Sequence, residues 1–136
     1  MVLAKLAIGA GMVAATVGVH SLFMVTAISY SRGHGNRLAS WRTLAMIGVI
    51  LWFFLAICIE CWLWAMLFFW LGTIPDLESA VYFAAVTFTT LGYGDIVLDG
   101  EWRLLSAFAA GNGVIVFGWT TAMVYMVAQR LYQLGE

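Results

Sequence analysis

The residues best suited to chemistry form one short run in the second half of the chain: Thr89, Thr90, Leu91, Gly92, Tyr93, Gly94 and Asp95. The two glycines are spaced two apart, and glycine takes left-handed backbone dihedrals without a steric penalty. When alternate residues take such dihedrals, successive carbonyl oxygens turn toward one side of the chain. A row of carbonyls from residues 90–93, with the Thr90 hydroxyl below it, can replace the water shell of a bare cation. The run therefore predicts a path for a desolvated cation.

A single copy of this run supplies too few oxygens to surround an ion. Several copies must converge on one axis, and closed cyclic symmetry achieves that arrangement. We therefore expect the chain to assemble with copies of itself, with the run on the symmetry axis.

The composition excludes a soluble domain. Hydrophobic residues make up 64% of the 136 residues and charged residues 10%, whereas soluble domains average about 45–50% and about 25%. So few charges cannot cover a water-facing surface, and lipid is the expected partner of most of it. There is no basic run that would bind nucleic acid.

Three apolar segments are long enough to cross a bilayer, which takes about 20 residues. They predict an all-α membrane protein with an N-terminal spanning helix at 1–30 and two further spans at 43–71 and 102–130. A loop at 31–42 joins the first two spans, and a short tail follows at 131–136. Because the loop holds three of the six cations and no acid, it is expected in the cytoplasm.

The charge of that loop sets the orientation of the rest of the chain. The N-terminus and residues 72–103 are expected outside, and the C-terminal tail is expected in the cytoplasm. Lys5 is the one cation that opposes this orientation.

A short helix is predicted at 75–88. It lies immediately before the run from Thr89 to Asp95, which we call the polar run. Thr73 is a candidate N-cap, and Pro75 suits the first turn, where its missing N–H costs nothing. Fourteen residues at about 1.5 Å each reach about 20 Å, less than the ~30 Å hydrocarbon core. The segment is therefore expected to enter the membrane and return on the same side.

The run from Thr89 to Asp95 resembles the signature of the pore domain of tetrameric potassium channels. In that family the motif is Thr-Val-Gly-Tyr-Gly, usually preceded by Thr and followed by Asp, and this chain departs from it only at Leu91. The resemblance covers about 43–130 and implies an outer helix, a pore helix, a selectivity filter at 90–94 and an inner helix. The helix at 1–30 is extra, as in small bacterial channels with a peripheral additional helix.

The resemblance implies a homotetramer in the cell membrane that conducts potassium passively, with no covalent chemistry and no cofactor beyond the permeant ion. It implies potassium ligands at Thr90, Leu91, Gly92 and Tyr93. Around this filter, Asp95, Tyr82 and Thr89 are expected as supports, with Tyr82 donating a hydrogen bond to Asp95.

Polar residues within the spans are costly in lipid and usually functional or paired. Glu60 is predicted to bond the pore-helix region and so support the filter; direct pairing with His20 is the weaker alternative, because the two lie at different depths when counted from the loop. Asn112 is a candidate for the lining of a central cavity, and an interhelical hydrogen bond is its alternative role. The neighbouring Gly111 and Gly113 suit either close helix packing or a gating hinge.

Two other functions stay open. Leu91 allows a non-selective or sodium-conducting channel on the same fold. Cys58 and Cys61 have the spacing of a redox pair, so a membrane redox protein is the alternative from a different class, although buried cysteine is usually a small hydrophobe.

Overall fold

The computed structural model describes residues 2–32, 39–98 and 100–132. Within these ranges the chain is helical, without a strand: α1 (Val2–Arg32), α2 (Ala39–Trp70), α3 (Leu77–Phe88) and α4 (Arg103–Tyr132), with a 3-10 turn at Gly100–Trp102 before α4. The expected all-α fold is confirmed. The interpretations of residues 33–38, Asp99 and 133–136 lie outside the described residues.

Three of the helices are long and apolar enough to cross a membrane. The candidate spans are Val2–Tyr30, Trp41–Trp70 and Gly100–Tyr132, with mean hydropathies of 1.9, 2.5 and 1.4. The 12 residues of α3 rise about 18 Å, which is too short for a crossing. The observed elements therefore agree with three spans and one short helix between the second and third.

The beginning of α3 differs from the sequence-based expectation. Asp76 is the N-cap, because its side chain accepts a hydrogen bond of 2.8 Å from the backbone N–H of Ser79. The Thr73 hydroxyl instead donates to the Phe68 carbonyl at 2.7 Å, so it caps the end of α2. The prediction of Thr73 as N-cap is therefore wrong, and Pro75 lies in the connection before the helix.

The main core lies where α2, α3 and α4 meet. Its fully buried members include Trp64, Phe68, Ala80, Phe88 and Leu105. A second core, which includes Ala27, Phe53 and Val127, joins α1, α2 and α4. Because α3 is packed on both long helices, the loop that follows it begins from a fixed base.

The N-terminal end of α1 contacts the segment that follows the polar run. The Lys5 ammonium lies 3.5 Å from the Glu101 carboxylate and 5.6 Å from the centre of the Trp102 ring. These contacts place the start of α1 on the same side of the bilayer as the start of α4. Lys5 is therefore paired with an acid, which accounts for a cation at the end where the loop charges predict few.

Candidate functional site

Along the polar run after α3, every second residue from Thr90 to Gly94 has a positive φ. Thr90, Gly92 and Gly94 have φ values of 60°, 57° and 79°, and among the described residues other than glycine Thr90 alone has a positive φ. A positive φ is unfavourable for a β-branched residue such as threonine, and strain of this kind persists only where the surrounding structure imposes it. The alternation is the conformation that the glycine spacing predicts for a row of carbonyls on one side.

Hydrogen bonds attach this run to the last turn of α3. The N–H of Gly92 donates to the Val86 carbonyl at 3.2 Å, and the N–H of Thr90 donates to the Thr87 carbonyl at 3.0 Å. The Thr89 hydroxyl donates to the Ala85 carbonyl at 2.7 Å. All three acceptors are carbonyls of the last turn of α3, where the helix itself offers few donors, so the helix end determines where the run begins.

Tyr82 and Asp95 hold the far end of the run. The Tyr82 hydroxyl donates to Asp95 Oδ2 at 2.7 Å, which confirms the expected contact. The bond lowers the pKa of the Asp95 carboxyl, because it stabilises the charged form. The same bond raises the pKa of Tyr82, which must keep its proton to donate.

The run itself lies on the surface of the single chain. Residues 89–95 are all exposed, and the side chains include the large apolar ones of Leu91 (56% exposed) and Tyr93 (68%). Irregular backbone in a membrane-inserted segment is tolerated only when it is buried in protein or lines a watery cavity. Within the single chain the run is not buried, so in a membrane it requires either contact with other protein or a water-filled cavity.

Gly113 of α4 supports the end of α3. A Cβ atom at this position would overlap the Phe88 carbonyl oxygen, so only glycine allows the two helices to approach this closely. A Cβ at Gly111 meets no atom within 4 Å. Close packing is thus the observed role of Gly113 within the subunit, while the hinge stays a prediction.

The Asn112 side chain of α4 is buried inside the subunit, where it contacts α1 and α2. It is 1% exposed, and its Oδ1 accepts hydrogen bonds from the Thr16 hydroxyl (2.7 Å) and the Trp64 indole N–H (2.9 Å). The predicted cavity-lining role is therefore wrong, and the interhelical hydrogen bond is correct. The amide takes this direction because α1 and α2 offer donors there.

Glu60 pairs with His20. Glu60 Oε1 lies 3.0 Å from His20 Nδ1, and both residues have no exposed surface. The predicted bond to the pore-helix region is wrong. Two contacts join α1 to α2: Tyr30 with Trp41 near the loop, and His20 with Glu60 deeper in the membrane. Between these contacts α2 has about twice as many residues as α1. Residue counts from the loop therefore do not give the relative depths of His20 and Glu60.

Sequence reasoning missed the partners of these polar groups. Thr16 and Trp64 bond Asn112, and the Thr120 hydroxyl lies 3.2 Å from His20 Nε2. A signal was present in the spacing: Thr16 lies four residues before His20, and Trp64 four after Glu60. Residues four apart share a helix face, so each pair marks one side of its helix.

The two cysteines are free; Cys61 is buried and Cys58 is partly buried. Across residues 2–32, 39–98 and 100–132, no group of three or more His, Cys, Asp or Glu side chains could hold a metal ion. The geometry therefore adds nothing to the redox interpretation.

The chain has three spanning helices, with a short helix and an exposed loop between the second and third. This arrangement is typical of the pore subunit of a membrane channel. A family model described as "Ion channel" matches residues 56–130, more than half of the chain. The chain belongs to this ion channel family. The match covers the C-terminal part of α2, all of α3, the polar run and nearly all of α4, and leaves α1 outside. The comparisons with curated proteins and with solved structures give no match.

Proposed function

We propose that this ion channel is selective for potassium and works as a homotetramer with residues 90–94 as its filter. The observation that carries the proposal is the alternation of left-handed residues at Thr90, Gly92 and Gly94. In this conformation the carbonyls of residues 90–93 turn toward one side, where they replace the hydration shell of a desolvated ion.

Assembly around an axis follows from the number of oxygens that an ion needs, and the resemblance to tetrameric potassium channels implies four copies. One loop contributes a single column of carbonyls, and closed symmetry places identical columns around one axis. Exposure of Leu91 and Tyr93 in the single chain supports this arrangement, because neighbouring subunits would cover both. The C-terminal end of α3, which carries partial negative charge, would then point toward the waiting cation.

We further propose the cell membrane as the location, with the N-terminus outside and the C-terminal tail in the cytoplasm. The cationic composition of residues 31–42 supports this orientation. Lys5 is the one cation that opposes it, and its side chain pairs with Glu101.

Flux from reconstituted liposomes tests the proposal. Potassium-loaded vesicles should release potassium when a potassium ionophore is absent, and the reversal potential should follow the potassium gradient rather than the sodium gradient. Gly92→Ala should abolish the flux, because alanine resists the φ of 57°. Gly11→Ala is the matched control, since a Cβ there meets no atom within 4 Å. Retained flux in Gly92→Ala would contradict the filter assignment.

A sodium-conducting or non-selective channel is the second candidate, favoured by Leu91 in the place of valine. The reversal potential separates it from the first, because equal response to both gradients would remove potassium selectivity. Leu91→Val then shows whether this residue is the cause: restored selectivity assigns the difference to the side chain.

Replacement of Cys58 and Cys61 by alanine tests the redox alternative. Conduction should be unchanged, because both thiols belong to α2 and not to the polar run. A loss of flux in the folded variant would support a role for the thiols.

A further inference from the structure

The buried polar residues of the described chain all lie at one junction. Thr16, His20, Glu60 and Asn112 are the polar or charged side chains that the structure buries completely or nearly so. They come from α1, α2 and α4, and each contacts a residue of a different helix. In lipid, where a bare polar group costs several kcal/mol, such a cluster needs a complete set of partners.

The junction, which we call the polar seam, has two layers. The outer layer contains Thr16, Asn112 and Trp64, joined at Asn112 Oδ1. The inner layer is centred on His20, which reaches Glu60 and Thr120 from its two ring nitrogens. Each layer takes one residue from each of the three helices.

Along α1 and α2 the two layers are one helical turn apart, whereas on α4 Asn112 and Thr120 are about two turns apart. His20 follows Thr16 by four residues on α1, and Glu60 precedes Trp64 by four residues on α2. One turn is about 5.4 Å along the axis. A direct hydrogen bond needs about 2.9 Å between heavy atoms, so the spacing of the layers suits two bonds in series.

Two atoms of the seam have no hydrogen-bond partner among the described residues: Glu60 Oε2 and Asn112 Nδ2. They are complementary, because a carboxylate oxygen accepts and an amide nitrogen donates. One belongs to each layer. A molecule placed between them must accept from Asn112 and donate to Glu60, and water does both.

We propose that the polar seam binds one internal water molecule between Glu60 Oε2 and Asn112 Nδ2, which joins the two layers into a single network. The water adds an indirect connection between α1 and α4, through Glu60 of α2, to the direct contacts of Thr16 with Asn112 and of His20 with Thr120. Its contact at Asn112 is adjacent to Gly113, which packs on the Phe88 carbonyl. The network thus ties the helix outside the family match to the base of the polar run. This proposal does not rest on potassium selectivity.

An experimental structure of the full-length protein at a resolution that shows water tests the site directly. We expect density about 2.8 Å from both Glu60 Oε2 and Asn112 Nδ2. A direct bond between these two atoms, or a dry gap between them, would overturn the proposal.

A double-mutant cycle tests whether the layers form one network. Thr16→Val and Thr120→Val each remove one hydroxyl, from different layers, with little change of shape. Reversible unfolding in mixed micelles should show a double variant whose equilibrium constant differs about threefold or more from the product of the single effects. Two independent layers would give effects that multiply, and this result would overturn the proposal.

The control cycle pairs Thr16→Val with Thr121→Val. The Thr121 hydroxyl is exposed and donates to the Phe117 carbonyl of its own helix, so it lies outside the seam. This pair should be multiplicative within error. In an Asn112→Leu background, which removes the amide donor, the coupling between Thr16 and Thr120 should disappear; coupling that persists without the amide would contradict the water bridge. If the leucine variant does not fold, the density and the threonine cycle still decide the question.

Discussion

His20 and Glu60 are separated by 40 positions in the sequence, and their side chains meet at 3.0 Å with no exposure to solvent. The contact joins α1 to α2 in the interior of a membrane protein. His20 also contacts two aromatic rings, with 5.6 Å between its ring centre and that of Phe53 and 5.2 Å to that of Trp119. A helix outside the family match is thus held to the pore-forming part of the chain by specific polar contacts.

Glu60→Ala should destabilise the subunit by about 1–3 kcal/mol, the cost of leaving the buried His20 ring nitrogen without its hydrogen-bond partner. The double variant His20→Leu with Glu60→Leu should lose less than the sum of the two single leucine variants, because it leaves neither buried polar group without its partner. Unfolding in mixed micelles measures both. Additive losses would show that the two side chains do not interact.

The same Glu60→Ala variant separates support of the filter from support of the fold. Since Glu60 contacts His20 and not α3, the folded fraction should keep the reversal potential of the unmodified channel. A shifted reversal potential in folded protein would restore the filter-supporting role that the sequence predicted.

Tyr82→Phe removes the hydroxyl that bonds Asp95 and keeps the ring. We expect weaker selectivity or faster loss of current, because the far end of the polar run loses its attachment to α3. Single-channel recording with potassium and sodium gradients measures both effects. Tyr132→Phe, at the end of α4, is the matched control and should behave as the unmodified protein; equal behaviour of the two variants would remove the role of the bond.

Gly113→Ala should prevent the close approach of α4 to the end of α3. The added methyl group would overlap the Phe88 carbonyl, and backbone cannot move aside as a flexible side chain can. We expect the loss of stable assembly and of flux. Gly118→Ala, on the same helix and with no atom within 4 Å of its Cβ, should assemble normally on size-exclusion chromatography. Normal assembly and flux of Gly113→Ala would contradict the packing role.

The Tyr82–Asp95 bond should be insensitive to pH between about 5 and 9. The pKa of Asp95 is lowered, so its contribution is complete above the ordinary value of about 3.9 and is lost only as pH falls through the lowered one. The pKa of Tyr82 is raised, so its contribution is complete below about 10 and is lost as pH rises through the raised one.

Thermal stability at several pH values checks this expectation. The difference between the unmodified protein and Tyr82→Phe should stay constant across the range from about pH 5 to 9. A difference that shrinks within it would mean that one of the two groups titrates there.

The polar run from Thr89 to Asp95 could be interpreted from the sequence alone. At Gly92 and Gly94 the left-handed backbone is a local property of glycine, whereas the positive φ of Thr90 depends on the surrounding structure. The three spans could also be predicted from the sequence, because every helix that crosses a bilayer needs a long apolar segment, whatever it packs against. The contact of Tyr82 with Asp95 followed from a family resemblance that covers both residues.

The partners of Glu60 and Asn112 depended on the tertiary structure. A spanning helix is apolar on nearly all sides, so its sequence gives little indication of which face meets protein. The rotation and tilt of α1 against α2 and α4 come from packing between segments that are remote in the chain. Those two quantities decide that Asn112 faces Thr16 and Trp64, and that Glu60 reaches His20 and not α3.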